Sequence, residues 1–410
     1  MSAPYRIGVG IAGTRACVVV ERDGRRFTVA PWETGAQSTH AAALIAIDRA
    51  ARLRVSTGAP REIFLRQNTA VQAYAADDGL SAVLLESHAT LTWRSPKAPG
   101  GDHPLVVGAL IDDAANQLTQ AGVAFGHGTT NAFDEAAWLV LWQLGLPLDA
   151  ALDGPDSVAD QAVAAPQCAQ VADLLRTRIE SRKPAAYLTR EAWLQGVPFY
   201  VDERAIVPRS FIAELLADGS LDPWLGEHTR TVLDLCTGNG SLAVLAAMVY
   251  PDVAVDAADI SLEALDVARI NVERHALQDR IRLIASDGLK SVSGPYDLIL
   301  CNPPYVNTQS MAALPAEYQA EPVLALAGGP DGMDFVRQLL HDAPAHLNPE
   351  AVLVLEIGNE RDHFETAFPA LEVVWLDTSA GEDQVFLLTR DALQSWHEAL
   401  TAPAKERIKN

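Results

Sequence analysis

From Thr231 onward, short apolar runs alternate regularly with helical patterns along the chain. The runs that resemble buried strands lie at 231–235, 253–257, 281–284, 297–301 and 352–356. This alternation predicts an α/β fold with a doubly wound, mostly parallel sheet and helices on both of its faces. A helix is expected at 262–274, and two later runs at 372–376 and 384–389 predict an antiparallel hairpin at one sheet edge.

The segment 94–104 marks a domain boundary because it contains three prolines and two glycines, which neither a helix nor a central strand tolerates. Residues 105–195 are predicted to form an all-helical domain with a break near Ala165-Pro166. Apolar residues recur there at helical spacing, as in Val107, Leu110, Ile111, Ala114 and Leu118. The α/β domain is then expected to occupy residues 196–395.

The first 95 residues predict a small α/β appendage. Strands are expected at 6–11, 16–21, 27–30 and 62–65, with a helix at 39–53. The order of these elements resembles a degenerate ribonuclease H-like fold. A nuclease of that fold needs clustered carboxylates for divalent metal, but no acidic residue precedes Glu21 and none lies between Gln37 and Ile47. We therefore expect an appendage without nuclease activity.

The chain is strongly acidic. Its 410 residues include 31 basic and 53 acidic side chains, which give a formal net charge of −22. A field of that sign repels phosphates, so direct nucleic-acid binding is not expected, whereas a basic protein is a favoured partner.

Cysteine spacing and hydropathy exclude several other classes. Cys17, Cys168, Cys236 and Cys301 stand far apart, which predicts neither a disulfide framework nor a zinc site, and no other metal-ligand cluster is evident. The longest apolar stretches are shorter than the ~18 residues of a membrane span, and no basic-then-apolar leader opens the chain. We expect a cytoplasmic protein.

A glycine-rich turn follows the strand that begins at Thr231. Cys236-Thr-Gly-Asn-Gly240 separates this strand from a helix that begins at Ser241. Glycines let the backbone turn sharply and approach a ligand, with amide donors of the helix N-terminus directed at it. The next strand ends in Asp259, whose carboxylate can accept both hydroxyls of a ribose. These residues predict a nucleoside site; the alternative is a plain loop in which Asp259 caps the following helix.

The segment Asn302-Pro-Pro-Tyr305 follows the strand at 297–301. Two consecutive prolines fix φ and remove two backbone donors, so the segment exposes carbonyl oxygens and cannot continue a strand. The Asn302 side-chain oxygen and a proline carbonyl can accept both hydrogens of a substrate NH2 group, which aims the nitrogen lone pair at an incoming methyl group. Tyr305 is expected to supply a flat wall. The alternative is a rigid turn without a ligand.

At these residues the chain resembles the class I methyltransferases that use S-adenosylmethionine and carry an N-P-P-Y motif. Within that class it is similar to the protein glutamine methyltransferases of the PrmB family, which methylate a glutamine of the large-subunit ribosomal protein numbered three. The segments that carry this resemblance are Phe125–Ala136, Pro184–Leu188, Phe199–Ser210 and Glu317–Pro322. The resemblance implies a seven-stranded methyltransferase sheet at 196–395 and a helical substrate-recognition domain at 105–195.

The resemblance also implies S-adenosylmethionine as the cofactor and assigns residues to roles. The expected cofactor-binding residues are Asp234, Cys236, Thr237, Gly238, Asn239, Gly240, Asp259, Asp287, Gly288 and Asn302. The expected catalytic residues, which form an amide clamp, are Asn302, Pro303, Pro304 and Tyr305. No general base is required, because positioning rather than deprotonation activates the amide. His127 is expected to hold a loop, and the expected substrate is a basic ribosomal protein.

Several alternatives share part of this pattern. Release-factor glutamine methyltransferases use the same clamp, but they have a glycine in place of Cys236 and lack the Gly126-His-Gly-Thr129 segment. A nucleic-acid adenine amino methyltransferase should bring a basic surface, which the net charge of −22 argues against. A nicotinamide-dependent dehydrogenase leaves the Asn302-Pro-Pro-Tyr305 segment without a role, and a non-catalytic assembly factor would need neither the turn nor the clamp.

Overall fold

The computed structural model describes residues 105–401 and, before them, the backbone of the strands between Tyr5 and Leu91. The chain divides into two compact units, Met1–Asp102 and His103–Asn410.

The first unit contains a five-stranded sheet with the order β3-β2-β1-β4-β7 and a separate pair formed by β5 and β6. The strands are β1 (Tyr5–Ala12), β2 (Arg15–Arg22), β3 (Arg25–Glu33), β4 (Arg61–Leu65), β5 (Val71–Ala75), β6 (Ser81–Leu85) and β7 (Ala89–Leu91). β1 pairs in parallel with β4 and antiparallel with β2. The four predicted strands of this unit are confirmed, and the helix predicted at 39–53 lies outside the described residues.

Helices dominate the start of the second unit and surround its sheet. They are α1 (Val107–Gln120), α2 (Ala132–Leu144), α3 (Ala165–Ser181), α4 (Ala185–Thr189), α5 (Ile212–Ala217), α6 (Ser241–Val249), α7 (Leu262–Arg274), α8 (Thr308–Ala313), α9 (Ala316–Gln319), α10 (Asp334–Asp342), α11 (Arg361–Ala367) and α12 (Arg390–Thr401). Short 3-10 turns lie at Asp222–Trp224, Val323–Ala325 and Ala343–His346. Within residues 105–401, no helix has the length and apolar character that a membrane crossing needs.

The helices α1, α2 and α3 pack around a small apolar core. The helical spacing seen in the sequence of α1 puts its apolar residues on one buried face: Val107, Leu110, Ile111, Ala114 and Leu118. Gly145 ends α2 in the left-handed conformation that glycine adopts without steric cost. This core is separate from the apolar layers around the main sheet.

The prediction that residues 105–195 are all-helical is wrong at two places. β8 (Leu105–Val106) pairs with β9 (Ala162–Val163), and β10 (Ala192–Leu194) pairs with β11 (Val197–Phe199). Strands of two or three residues are too short to show a period in sequence. The expected break near Ala165-Pro166 is confirmed, because α2 ends at Leu144 and α3 begins at Ala165; the first turn of α3 tolerates Pro166 because the N–H there needs no partner.

The main sheet confirms the predicted fold class. It has seven strands in the order β14-β13-β12-β15-β16-β18-β17. Their bounds are β12 (Thr231–Leu235), β13 (Ala254–Asp259), β14 (Ile281–Ala285), β15 (Tyr296–Cys301), β16 (Leu347–Glu356), β17 (Val374–Thr378) and β18 (Gly381–Thr389). The strands β12 to β16 pair in parallel, whereas β18 pairs antiparallel with both β16 and β17.

The strand order creates a crevice beyond the carboxyl ends of the central strands. The chain moves from β12 outward to β13 and β14, and then returns to lay β15 on the other side of β12. Helices cover both faces, so the central strands are buried on both sides: Val232 packs in the apolar layer on one face and Leu233 in the layer on the other. In open α/β sheets a crevice forms beyond the carboxyl ends of strands where the order reverses. Here that point lies between β12 and β15.

Candidate active site

A pocket opens beyond the carboxyl ends of β12, β13 and β15. It brings together predicted residues from several separate parts of the sequence. Those that line it are Cys236, Gly238, Asp259, Asp287, Gly288, Asn302 and Pro304. The other predicted residues surround this lining without belonging to it: Asp234, Thr237, Asn239, Gly240, Pro303 and Tyr305.

The glycine turn has backbone geometry that explains its composition. Gly238 and Gly240 have φ values of 56° and 81°, in the left-handed region that glycine adopts most readily. A Cβ on Gly240 would lie 3.1 Å from the Cβ of Ala268, so this glycine also permits close packing of the turn against α7. Cys236 adopts φ of 61° at the position where the turn leaves β12.

The Asp234 side chain connects the turn to the helix that follows it. Its Oδ2 accepts hydrogen bonds from the Thr237 hydroxyl and, at 2.9 Å, from the amide of Ala243. Burial raises the pKa of Asp234 to about 7, although these hydrogen bonds oppose the shift. Among the described residues, Asp234 Oδ1 and Asn239 Nδ2 are buried polar atoms without a partner. Such atoms are costly unless a ligand or water satisfies them.

Asp259 is held in one orientation at the end of β13. Its Oδ2 accepts from the Gly238 amide at 2.9 Å, and its Oδ1 accepts from the Ser261 amide at 2.8 Å. Burial raises the pKa of its carboxyl group, and both amides oppose that shift. The alternative role as the helix cap belongs to Ser261 instead, whose hydroxyl accepts from the Ala264 amide at 3.1 Å. The Asp259 carboxylate therefore links the turn to the pocket.

The Asn302–Tyr305 segment begins where β15 ends. Asn302 and Pro304 face the pocket, whereas Pro303 is buried beneath them. The Tyr305 side chain does not form the expected wall of this pocket. Its hydroxyl lies 3.4 Å from Oε1 of Glu356, behind the segment.

Two segments that were not predicted to belong to the site also line the pocket, as do Ala264 of α7 and Phe335 of α10. Residues 204–206 contribute Arg204, Ala205 and Ile206, and residues 322–325 contribute Pro322, Leu324 and Ala325. Both segments lie in or beside stretches that carried the family resemblance, at 199–210 and 317–322. That resemblance was the only signal available, because neither stretch has a helical or strand period.

Glu321 joins these two segments. Its buried carboxylate accepts from the Val207 amide at 2.9 Å and from both terminal nitrogens of Arg209 at 2.6 Å each. The ring of His127 lies 3.3 Å away and packs on Tyr318. Burial alone would raise the pKa of Glu321, but the adjacent His127 ring and the two hydrogen bonds and charge of Arg209 lower it to about 2. His127 thus lies in a loop contact rather than in the pocket.

A second buried ion pair ties the helical region to the same segment. The guanidinium of Arg178 is fully buried and donates to Glu135 at 2.8 Å, while its other nitrogens approach Glu317 at 3.5 Å and the carbonyl of Ala124 at 3.2 Å. Arg182 also donates to Glu317 at 3.3 Å. The residues that precede Pro322 are therefore anchored to α2 and α3.

The known proteins to which this chain is similar are described as methyltransferases. A family model described as methyltransferase small domain matches residues 214–319. The ribosomal protein uL3 glutamine methyltransferase of Bordetella pertussis is 52% identical over 289 residues, which cover 70% of this chain and 95% of that protein. The protein of the same name from Neisseria meningitidis serogroup A is 50% identical over 282 residues, covering 68% of this chain and 91% of that protein.

A third relative of the same name has a lower sequence identity. The ribosomal protein uL3 glutamine methyltransferase of Bradyrhizobium diazoefficiens is 46% identical over 281 residues, covering 67% of this chain and 87% of that protein. Among solved structures, the hMettl16 catalytic domain in complex with MAT2A 3'UTR hairpin 6 aligns with a TM-score of 0.38 and 14% identity, over 55% of this chain and 81% of that chain.

Proposed function

Since the chain belongs to the family of ribosomal protein uL3 glutamine methyltransferases, we propose that it transfers a methyl group from S-adenosylmethionine to the side-chain amide nitrogen of a glutamine in ribosomal protein uL3. The observation that carries this proposal is the meeting of Gly238, Asp259 and Asn302 in one pocket. A turn suited to a nucleoside and a segment suited to an amide thereby share one cavity, as transfer between cofactor and glutamine requires.

The residues around the glycine turn fit S-adenosylmethionine. The Asp259 carboxylate lines the pocket and is already oriented by two amides, so it can accept ribose hydroxyls with little reorganisation. Asp234 and Asn239 are buried beneath the lining, so we propose that they hold the turn in shape under the cofactor rather than contact it through the pocket. When bound, S-adenosylmethionine supplies a methyl group activated by its sulfonium.

Asn302 and the neighbouring prolines orient the substrate glutamine. The Asn302 side-chain oxygen and a proline carbonyl accept the two amide hydrogens, which fixes the direction of the nitrogen lone pair. An amide nitrogen is a weak nucleophile because its lone pair is delocalised, so orientation and proximity must provide the rate enhancement. No residue of the clamp needs to remove a proton beforehand, since the nitrogen becomes strongly acidic once it is alkylated.

The charge of the chain suits a basic substrate. With a net charge of −22, the enzyme attracts a basic protein by long-range electrostatics and repels surfaces coated with RNA. We propose that it modifies free uL3 in the cytoplasm, before or during ribosome assembly.

Methyl transfer into unfractionated ribosomal proteins tests this proposal. The full chain is incubated with S-adenosylmethionine labelled in its methyl group and with large-subunit proteins from cells that lack the enzyme. We expect one labelled band. Mass spectrometry should identify it as uL3 that carries one additional methyl group on a glutamine. Label in another protein, or on another residue type, would contradict the proposed function.

A further inference from the structure

We propose that Glu356 is a positioning residue of the amide site, which acts through the hydroxyl of Tyr305 to hold the Asn302–Tyr305 segment in place. This inference rests on the proposed function, because it concerns the segment that orients the substrate glutamine. Glu356 itself does not line the pocket.

Glu356 lies at the end of β16, next to the strand from which the clamp emerges. Its side chain is buried, and Oε2 accepts from the Ser210 hydroxyl at 2.6 Å and from the Phe211 amide at 2.9 Å. Its other oxygen, Oε1, lies 3.4 Å from the Tyr305 hydroxyl. A buried carboxylate with fixed donors on one oxygen offers the second oxygen in a defined direction, here toward the clamp.

The surroundings of Tyr305 leave little room for another arrangement. A Cβ on Gly358 would lie 2.6 Å from Cε2 of the Tyr305 ring, and a Cβ on Gly328 would lie 2.7 Å from its Cα. The loop after β16 also contacts the residues that follow the clamp, since Asn307, which precedes α8, donates to Glu360 at 2.7 Å. The Tyr305 end of the clamp is therefore packed against Glu356 and Gly358, and Glu356 supplies its polar contact with Tyr305.

Ser210 connects this contact to a second segment that lines the pocket. It adjoins Arg209, which holds Glu321 and thereby the segment that begins at Pro322. The short stretch Arg209-Ser210 thus bonds to two buried carboxylates, those of Glu321 and Glu356. Displacement of Glu356 is expected to move Asn302 relative to the bound cofactor, and errors of about 1 Å in such positions cost roughly 100-fold in rate.

The ionisation of Glu356 gives this role a measurable signature. Burial raises its pKa to about 7, against the hydrogen bonds of Ser210, Phe211 and Tyr305. The charged groups that act on the partner Tyr305 are Arg209 and Glu321, in addition to Glu356 itself. The ionised carboxylate accepts from Tyr305, whereas protonation of Glu356 would replace this charged acceptor with a neutral carboxyl group and weaken the hydrogen bond. Turnover should therefore fall as the pH drops below about 7.

The test compares Glu356→Gln and Tyr305→Phe, singly and together, in the full chain. Tyr305→Phe deletes the donor of the contact, and Glu356→Gln replaces its charged acceptor with a neutral amide, each with little change in side-chain size. Rates of uL3 methylation are measured from pH 6 to 9, in steps of about one unit, at saturating cofactor. Asp234 beside the cofactor turn also has a pKa of about 7. Saturation prevents its titration from lowering the occupancy of the cofactor site. The matched control is Tyr296→Phe. Tyr296 lies at the start of β15, at the opposite end from the clamp, and its hydroxyl donates to the Asp256 carboxylate at 2.7 Å.

Each single change is expected to lower kcat about 10- to 100-fold with an unchanged Kd for S-adenosylmethionine, and the double variant should be no slower than the slower single variant. Glu356→Gln should also abolish the fall in kcat below pH 7, and Tyr296→Phe should leave kcat unchanged. Multiplicative losses, or a kcat within threefold of wild type, would overturn the inference while the proposed function stands.

Two further outcomes are also decisive. If Glu356→Gln does not fold, Tyr305→Phe decides the matter alone, because it removes a single oxygen atom. If the wild-type enzyme does not methylate uL3 at all, the proposed function is wrong, and this inference falls with it.

Discussion

Replacing Asn302 with alanine is expected to reduce methyl transfer about 100- to 1000-fold, the cost of losing one preorganised hydrogen-bonding group at a reacting centre. The Asn302 side chain lines the pocket beside Pro304 and is proposed to accept from the substrate amide. Cofactor affinity should change by less than about threefold, because the other residues proposed to hold the cofactor, among them Gly238 and Asp259, remain. Single-turnover rates at saturating cofactor, together with calorimetric cofactor binding, measure both quantities.

Asn359→Ala is the matched control for this experiment. Asn359 is exposed and bonds to Gln384 on the surface, so its loss removes an asparagine amide without touching the pocket. Its activity should equal that of wild type. An Asn302→Ala enzyme with turnover within a few-fold of wild type would show that the clamp is not the amide site.

Replacing Asp259 with alanine is expected to weaken the binding of S-adenosylmethionine by about 1.5 to 3 kcal/mol, the range for hydrogen bonds to a charged group. The carboxylate both faces the pocket and orients the Gly238 amide of the turn. Its removal therefore deletes a proposed ribose ligand and loosens the turn that holds it. Isothermal titration of the folded variant with S-adenosylmethionine gives the change directly.

Asp256→Ala provides the comparison on the same strand. Asp256 bonds to Arg282 and Tyr296, away from the pocket, so its loss removes a carboxylate from β13 without altering the turn. Cofactor affinity should remain that of wild type in this variant. Equal affinity of the Asp259 variant and wild type, or tight binding of a nicotinamide dinucleotide by wild type, would contradict the assignment of the cofactor.

The main sheet was predictable because its signals are local. Buried strands of four to six apolar residues alternate with helices whose spacing is plain in the sequence, and the helix predicted at 262–274 has those same bounds in the structure. The turn at Gly238 and Gly240 was predictable because glycine allows the backbone to turn sharply after a strand. Asp259 was predictable because a carboxylate at the end of the next strand can accept ribose hydroxyls. Strand β16, by contrast, begins five residues before its predicted start, at Leu347, since Asn348, Pro349 and Glu350 lack apolar character.

The remaining part of the candidate site depends on contacts between distant segments. Residues 204–206 and 322–325 line the pocket because Glu321 bonds to Arg209 and Val207, more than one hundred positions earlier in the chain. No local pattern encodes such a contact. The same holds for Tyr305, whose orientation toward Glu356 is set by the end of β16 rather than by the residues beside it.

The substrate itself is tested by offering free uL3 and a free release factor in parallel to the full chain, with labelled S-adenosylmethionine, at low and moderate salt. We expect preferential labelling of uL3, on a glutamine side chain, with a rate that decreases as salt screens the attraction between an acidic enzyme and a basic substrate. Preferential labelling of the release factor, or label in ribosomal RNA alone, would contradict the proposed substrate.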